Sequence, residues 1–276
     1  MMRGTGIWAA VLAAYVLADT LLAMVLLRGV PSPPGAMPAA LLANAILVAA
    51  AVVIAPRLTG RGPRRALVLF GLLFVPRVNN FVEPLIFPLD LQERLIPTLL
   101  LKVALLSAVV AAALDAWVSP GPAARSCWPA QRGIAGWLAR ALSCDLAYVA
   151  VYVTAGMIVW PYVRPFYAHR VMPAMGAILS MQVLRGFVFV ALLAWLAHEL
   201  RGARRVTILL GGLALAVFAA SDLIVPNSFM PDFARWAHLC EVGTSNFLFG
   251  AFVTWMLTAQ ARPAASGALA EQASEA

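Results

Sequence analysis

The sequence predicts an all-α integral membrane protein, a bundle of about eight transmembrane helices with both termini in the cytoplasm. Three observations carry this. First, 63% of the 276 residues are hydrophobic, only 12% are charged, and the mean hydropathy is +0.88, whereas soluble domains run near a quarter charged. Second, several apolar runs reach the ~20 residues needed to cross a bilayer as a helix. Third, the arginines gather in the short connections between those runs. The short alternating segments of a β-barrel are absent.

The spans follow in order. The first, 7–27, holds Asp19 inside a run longer than the apolar core of a signal peptide, and so reads as an uncleaved span. The second is 38–56, reached through RGVPSPPGAM, whose prolines cannot continue a helix. The third, 66–87, contains PRVNNFVEP, four polar side chains between two prolines. The fourth is 95–117 and carries Lys102, the chain's lone lysine. A longer connection, SPGPAARSCWPAQRG, leads to GIAGWLARAL, which reads as a short interfacial helix ahead of span five, 142–163. Spans six, seven and eight are 171–197, 206–226 and 234–258. Residues 1–258 thus read as one polytopic domain, and 259–276, small and polar, as a disordered cytoplasmic tail.

Arginine counting orients the bundle. With the N-terminus inside, the inner loops hold Arg3, Arg57, Arg61, Arg64, Arg65, Arg125, Arg132, Arg140, Arg201, Arg204, Arg205 and Arg262, against Arg28, Arg94, Arg164, Arg170 and Arg235 outside. Twelve against five is a positive-inside bias. It fits a bacterial inner membrane protein. Trp160, Tyr162, Phe166, Tyr167 and Trp236 then form an outer aromatic belt. FVEPLIF at 81–87 and YVRPFYA at 162–168 each close a span, and hint that spans three and four repeat in spans five and six.

Several function classes are excluded or disfavoured. The net charge of +8 sits in topogenic loops, without a basic, aromatic-interleaved patch, so nucleic acid is not a partner. Three irregularly spaced cysteines give neither a disulfide framework nor a metal pattern, and three scattered histidines add no metal site. The reading assigns no metal and no cofactor. Neither the nucleotide loop G-x-x-x-x-G-K-[ST] nor an intramembrane protease signature is present.

The candidate site is the set of polar residues inside spans, each of which needs a partner because a charge at mid-membrane costs roughly 2.5–3.5 kcal/mol. In span three, Asn79, Asn80 and Glu83 share a stripe of about 100°, with Arg77 about 60° beyond Asn80. Pro76 and Pro84 leave the carbonyls of Leu72 and Asn80 without helical donors, which predicts a bend. Lys102 calls for a carboxylate, Glu83 or Glu241. Gln182 and Arg185, three apart, face one way on span six, and Gly186 permits close helix approach. On span eight His238, Glu241 and Ser245 lie within about 60°, with Asn246 about 80° from His238. Ser245 is no nucleophile for His238, which is about 10 Å away along the axis. Asp115 and Asp145 read as reaching inner interfacial water, and Asp222 as outer interfacial.

Together Arg77, Asn79, Asn80, Glu83, Lys102, Gln182, Arg185, His238, Glu241 and Asn246 predict an outward-facing polar site between the midplane and the outer face. Three functions fit. One is binding or transport of a small anionic or zwitterionic solute, with a coupling proton on Glu83 or on Glu241 with His238. Another is an enzyme acting on a lipid or a lipid-linked substrate at the outer leaflet. The third is an assembly subunit of a membrane complex. The partners expected are the lipid bilayer and a small polar solute or lipid head group; the sequence assigns no oligomeric state.

Overall fold

The structure, a computed structural model, describes residues 4–28, 30, 32–87, 95–121, 126–129 and 133–259, the side chains of residues 84 and 85 excepted. The predicted cytoplasmic tail beyond Ala259, residues 88–94, and Arg3, Arg125, Arg132 and Arg262 lie outside these residues. Eight long helices follow one another: α1 (Gly4–Leu26), α2 (Ala36–Ile54), α3 (Pro63–Ile86), α4 (Ile96–Trp117), α5 (Ile134–Tyr167), α6 (Met175–Glu199), α7 (Arg204–Ala220) and α8 (Asp232–Thr258). Single 3-10 turns extend α2 (Ala55–Arg57) and α7 (Ser221–Ile224). Among the described residues there is no strand, and two isolated bridges are the nearest thing to one. The chain is an all-α membrane bundle: seven helices are long and apolar enough to cross a bilayer.

The eighth helix is not among those seven. Its 27 residues make about 40 Å of helix, which is ample length. Its hydropathy is diluted by Asp232, Arg235, His238, Glu241 and the Thr244–Asn246 run. A helix that spends one face on polar partners inside a protein need not look greasy to a hydropathy window.

α5 differs from its predicted form. Gly133 is its N-cap and the helix runs unbroken for 34 residues, so GIAGWLARAL is the first part of α5 and not a separate element. The physical reason is local: between Gly136 and Gly156 there is no glycine or proline to stop it. At about 51 Å it outreaches the ~30 Å hydrocarbon core. The extra turns carry exposed Ile134, Leu138 and Leu142, and Trp137, which stacks on Trp128 at 4.6 Å between ring centroids.

α3 and α7 lie in the middle. α7 packs against α8, α3 and α2, and α3 against α4, α7 and α6; α1 touches α2 and α4, while α5 touches α6 and α8. Burial agrees: 56% of the most apolar stretch of the α7 span is buried, against 11% for α1. α7 and α8 meet backbone to backbone, since a Cβ on Gly250 would stand 2.6 Å from the Gly211 carbonyl oxygen. Removing side chains is how membrane helices gain contact when water supplies no driving force.

The end of the bundle at the α3 N-terminus and α6 C-terminus is stitched by loop contacts. The Arg65 guanidinium, fully buried, donates to the carbonyls of Val118 and Ala55, 2.9 Å each. Asp115 accepts from the Gly62 N–H at 2.9 Å, which places a carboxylate at the N-terminus of α3. Its role is thus a helix cap rather than the contact with interfacial water that the sequence suggested. Glu199 is bound by Arg64 and Thr59, and Leu58 bridges to Leu200. At the opposite end buried Arg235 donates to the carbonyls of Leu223 and Ile224, 2.8 Å each, and to Asp232. Each arginine donates to carbonyls at or near helix ends, where intrahelical donors run out.

Candidate functional site

The polar residues of the spans fall into two groups on either side of α3. α3 itself is helical through both Pro76 and Pro84. Its polar stripe faces α1 and α7 at one edge and α6 at the other.

The first group joins α1, α2, α3, α4 and the end of α7. Arg77 is buried and makes a two-pronged contact with Asp222, 2.9 and 2.7 Å, and donates to the Tyr15 hydroxyl at 3.1 Å. Such a fork is the geometry that guanidinium and carboxylate match best. Asp222, read from sequence as interfacial, is the partner Arg77 requires. Asn80 donates to the Ala219 carbonyl at 3.1 Å, where α7 tightens into its 3-10 turn. Lys102 pairs with Asp19 at 2.7 Å rather than with Glu83 or Glu241, and Asn44 leans on the same carboxylate at 3.4 Å. Asp19 and Tyr15 are one turn apart on α1 and interact electrostatically, so the two ion pairs form one network. Its two cations and two carboxylates cancel. Asn79 has a buried amide nitrogen without a partner.

The second group lies where α3, α5, α6 and α8 converge, toward the α3 and α5 C-termini and the α6 and α8 N-termini. Glu83 approaches the Arg185 guanidinium to 3.7 Å, an ion pair too long to be a hydrogen bond. Arg185 also lies beside Tyr148, and its Nη2 stands 4.0 Å from the Met181 sulfur. Its Nε is buried with no partner. One turn away Gln182 is fully buried, and neither its amide nitrogen nor its oxygen has a partner. On α8 the His238 Nδ1 lies 2.7 Å from Glu241, and its Nε2 3.3 Å from the Tyr167 hydroxyl. Glu83 and Glu241 both act electrostatically on Tyr148, Tyr152 and Tyr167, and Glu83 acts on His238. The tyrosines are hemmed by other rings: Phe87 and Trp160 sit 6.5 and 6.1 Å from Tyr167, and Phe249 sits 4.9 Å from Tyr148.

Of the ten residues singled out from the sequence, Glu83, Gln182, Arg185, His238 and Glu241 are therefore drawn together. Arg77, Asn80 and Lys102 belong to the first group or its edge. Asn246 is buried deeper on α8, between one and two turns beyond Glu241. The sequence reading missed all of α5. Tyr148 and Tyr152 are four apart on one face and bring hydroxyls to the second group, but tyrosine in an apolar helix looks like core, and Tyr167 looked like belt. Asp145, three residues before Tyr148, is buried and not interfacial; its Oδ1 occupies the space a Cβ on Gly186 would take, 2.2 Å away.

The two concavities described lie elsewhere. One, about 400 Å³, is lined by Ser126, Cys127, Arg204 and Thr258 at the stitched end. The other, about 480 Å³, is a groove between α7 and α8 at Leu239, Cys240 and Gly243. Among the described residues no group of three or more His, Cys, Asp or Glu side chains is arranged to hold a metal ion.

The second group can bind an acidic moiety through the Arg185 Nε and Gln182, and a cationic one through Glu83 and Glu241. It can also pass a proton along Tyr167, His238 and Glu241. No family model, no curated protein and no solved structure matches the chain.

Proposed function

We propose that the protein is a transporter of a small zwitterionic solute, set in a bacterial cytoplasmic membrane with both chain ends inside and the second polar group opening outward. One observation carries the narrowing from anionic or zwitterionic to zwitterionic. Two of the three cations that the sequence singled out within the spans, Arg77 and Lys102, are already neutralised by Asp222 and Asp19. That leaves Arg185 alone against Glu83 and Glu241, a poor host for an anion and a suitable one for a molecule carrying both charges. The acidic end would take the donors of Arg185 and Gln182, and the ammonium end the two glutamates.

Asymmetry between the ends supports the direction. Glu83 keeps 37% of its side-chain exposure, which suits access from that end, whereas the other end is crossed by contacts of Arg65 and Glu199 and by the loop bridges. Sites near the midplane with access from one side at a time are the usual transporter plan. The arginine bias assigns the stitched end to the cytoplasm.

The test is uptake into liposomes carrying the purified protein, with a panel of labelled zwitterions (neutral amino acids and betaines). At least one should accumulate, and Arg185→Gln and Glu83→Gln should each cut the rate about tenfold or more, while Cys240→Ser, on an exposed face of α8, should not. Accumulation that is indifferent to both substitutions, or no accumulation of any member, sinks the reading. An altered lipid product in place of uptake would favour the outer-leaflet enzyme.

A further inference from the structure

α5 and α6 meet around a carboxyl group. Asp145 is 4% exposed, and its Oδ1 has no hydrogen-bond partner. That oxygen fills the space beside Gly186 that any other residue there would need, 2.2 Å from the position of a Cβ, and the Tyr148 ring stands 3.0 Å from the same point. Gly186 lies near the middle of α6, so the carboxyl is enclosed well short of either end of that helix. A buried carboxylate without a partner is so costly that the neutral acid takes its place.

The charged and titratable groups around Asp145 supply no such partner. On α5 itself, Arg140 acts on Cys144 and donates to the Met256 carbonyl, and Tyr148 lies one turn the other way. From α6 come Gln182 and Arg185, whose guanidinium pairs with Glu83. α8 passes this level between Phe249, 4.9 Å from Tyr148, and Met256, a stretch with no titratable side chain. Glu83 and Glu241 act on Tyr148, but among the described residues no charged group acts on Asp145. An asparagine would fill the same space and be neutral at every pH. What the aspartate adds is a proton that can leave.

We infer that Asp145 is the seat of a coupled proton: it holds one while α5 lies against α6 at Gly186, and gives it to water when the two helices part there. The step balances. The acid's O–H bond breaks, the proton goes to water, and the carboxylate left behind is hydrated; the reverse step reloads it. The two charges of a zwitterion cancel, so each cycle moves the single positive charge of the proton. The position suits coupling. Tyr148 lies against the same point as the Asp145 carboxyl and also beside Arg185. A motion that uncovers Asp145 therefore also disturbs the donors meant for the solute's acidic end. The inference rests on the reading of the second polar group as a solute site. It adds where the proton rides, on α5 rather than on Glu83 or the His238–Glu241 pair.

The experiment uses the full-length protein in liposomes, in sodium-free medium, with labelled glycine, L-leucine and glycine betaine as probes. Uptake is driven by a potassium diffusion potential of either sign. Exchange is measured separately, with equal probe on both sides and no gradient. The wild type should accumulate at least one probe about tenfold more with the inside negative than with it positive. Asp145→Asn should exchange that probe at close to the wild-type rate, yet take it up equally at either sign. Should the variant fail to fold, dicyclohexylcarbodiimide on the wild type serves in its place, because it adds to protonated carboxyls. Peptide mass spectrometry should then find the adduct on Asp145, less of it as the pH is raised, with voltage-driven uptake lost in proportion. Asp145→Asn that still follows the voltage, or that folds and exchanges no probe, overturns the proton seat and leaves the solute site standing. So does wild-type uptake indifferent to voltage, an unlabelled Asp145, or labelled protein that still follows the voltage. Movement of no probe by the wild type overturns both.

Discussion

Gln182 is the most unusual single side chain in the bundle, fully buried with every polar atom of its amide unpartnered. Such a group costs about 1–3 kcal/mol in the unliganded protein. Gln182→Met keeps the approximate volume, so it should raise the thermal midpoint in nanodiscs while weakening binding of the transported zwitterion. A residue kept only for packing would raise stability and leave binding alone. Arg77 is the opposite case, because all its strong partners are present. Arg77→Met strands the Asp222 carboxylate and should cost about 1–3 kcal/mol, less than a fully buried pair because Asp222 keeps 32% of its side-chain exposure. Adding Asp222→Asn should recover most of the loss, measured as the midpoint of the double variant against the single one. At this scale the sequence is informative about need and silent about supply. A charge inside a span must have a partner, which is legible for Arg77, Lys102 and Arg185. Which carboxylate answers depends on which helices are neighbours, and so Asp222 and Asp19 could not be chosen over Glu83 and Glu241.

Helix phase was a sound guide along one element and a poor one between elements. It grouped Arg77, Asn80 and Glu83 on one side of α3, yet a side of a helix about 10 Å across can face two neighbours. Arg77 and Asn80 turn to α7, while Glu83 turns to α6. The eight apolar or half-apolar runs are plain in the sequence, and even α8 is legible there, because runs flanking a polar patch still add up to a helix of spanning length. The continuity of α5 was missed because the turn expected at its start has no breaking residue to make it. The closeness of α7 and α8 is also hidden, since glycines in membrane helices are common. It has a measurable outcome. Gly250→Ala would force a methyl against the Gly211 carbonyl, backbone against backbone, with no flexible side chain to yield. Expect a loss of about 1–3 kcal/mol or more in reversible unfolding from micelles. Gly156→Ala, where nothing stands within 4 Å of the new Cβ, should be neutral or slightly stabilising.

For the molecule as a whole, an even number of crossings returns the chain to the side where it began. The polar α8 decides that parity, because the seven apolar helices alone would leave the two ends on opposite sides. Alkaline phosphatase, active only outside the cytoplasm, should be bright when inserted after Arg170 and dark when fused after Thr258. A bright signal at Thr258 would mean that α8 does not cross. The pairing of charges has a last consequence, for the cell's electrical state. A lone charge moved across the membrane field gains or loses about 2.3 kcal/mol per 100 mV. The Arg77–Asp222 and Lys102–Asp19 pairs give that field no net charge to act on, and a zwitterion crossing by itself gives it none either. Uptake of a zwitterion that moves without a proton should therefore run at the same rate whichever sign an imposed potassium diffusion potential takes, whereas uptake coupled to a proton should follow the voltage.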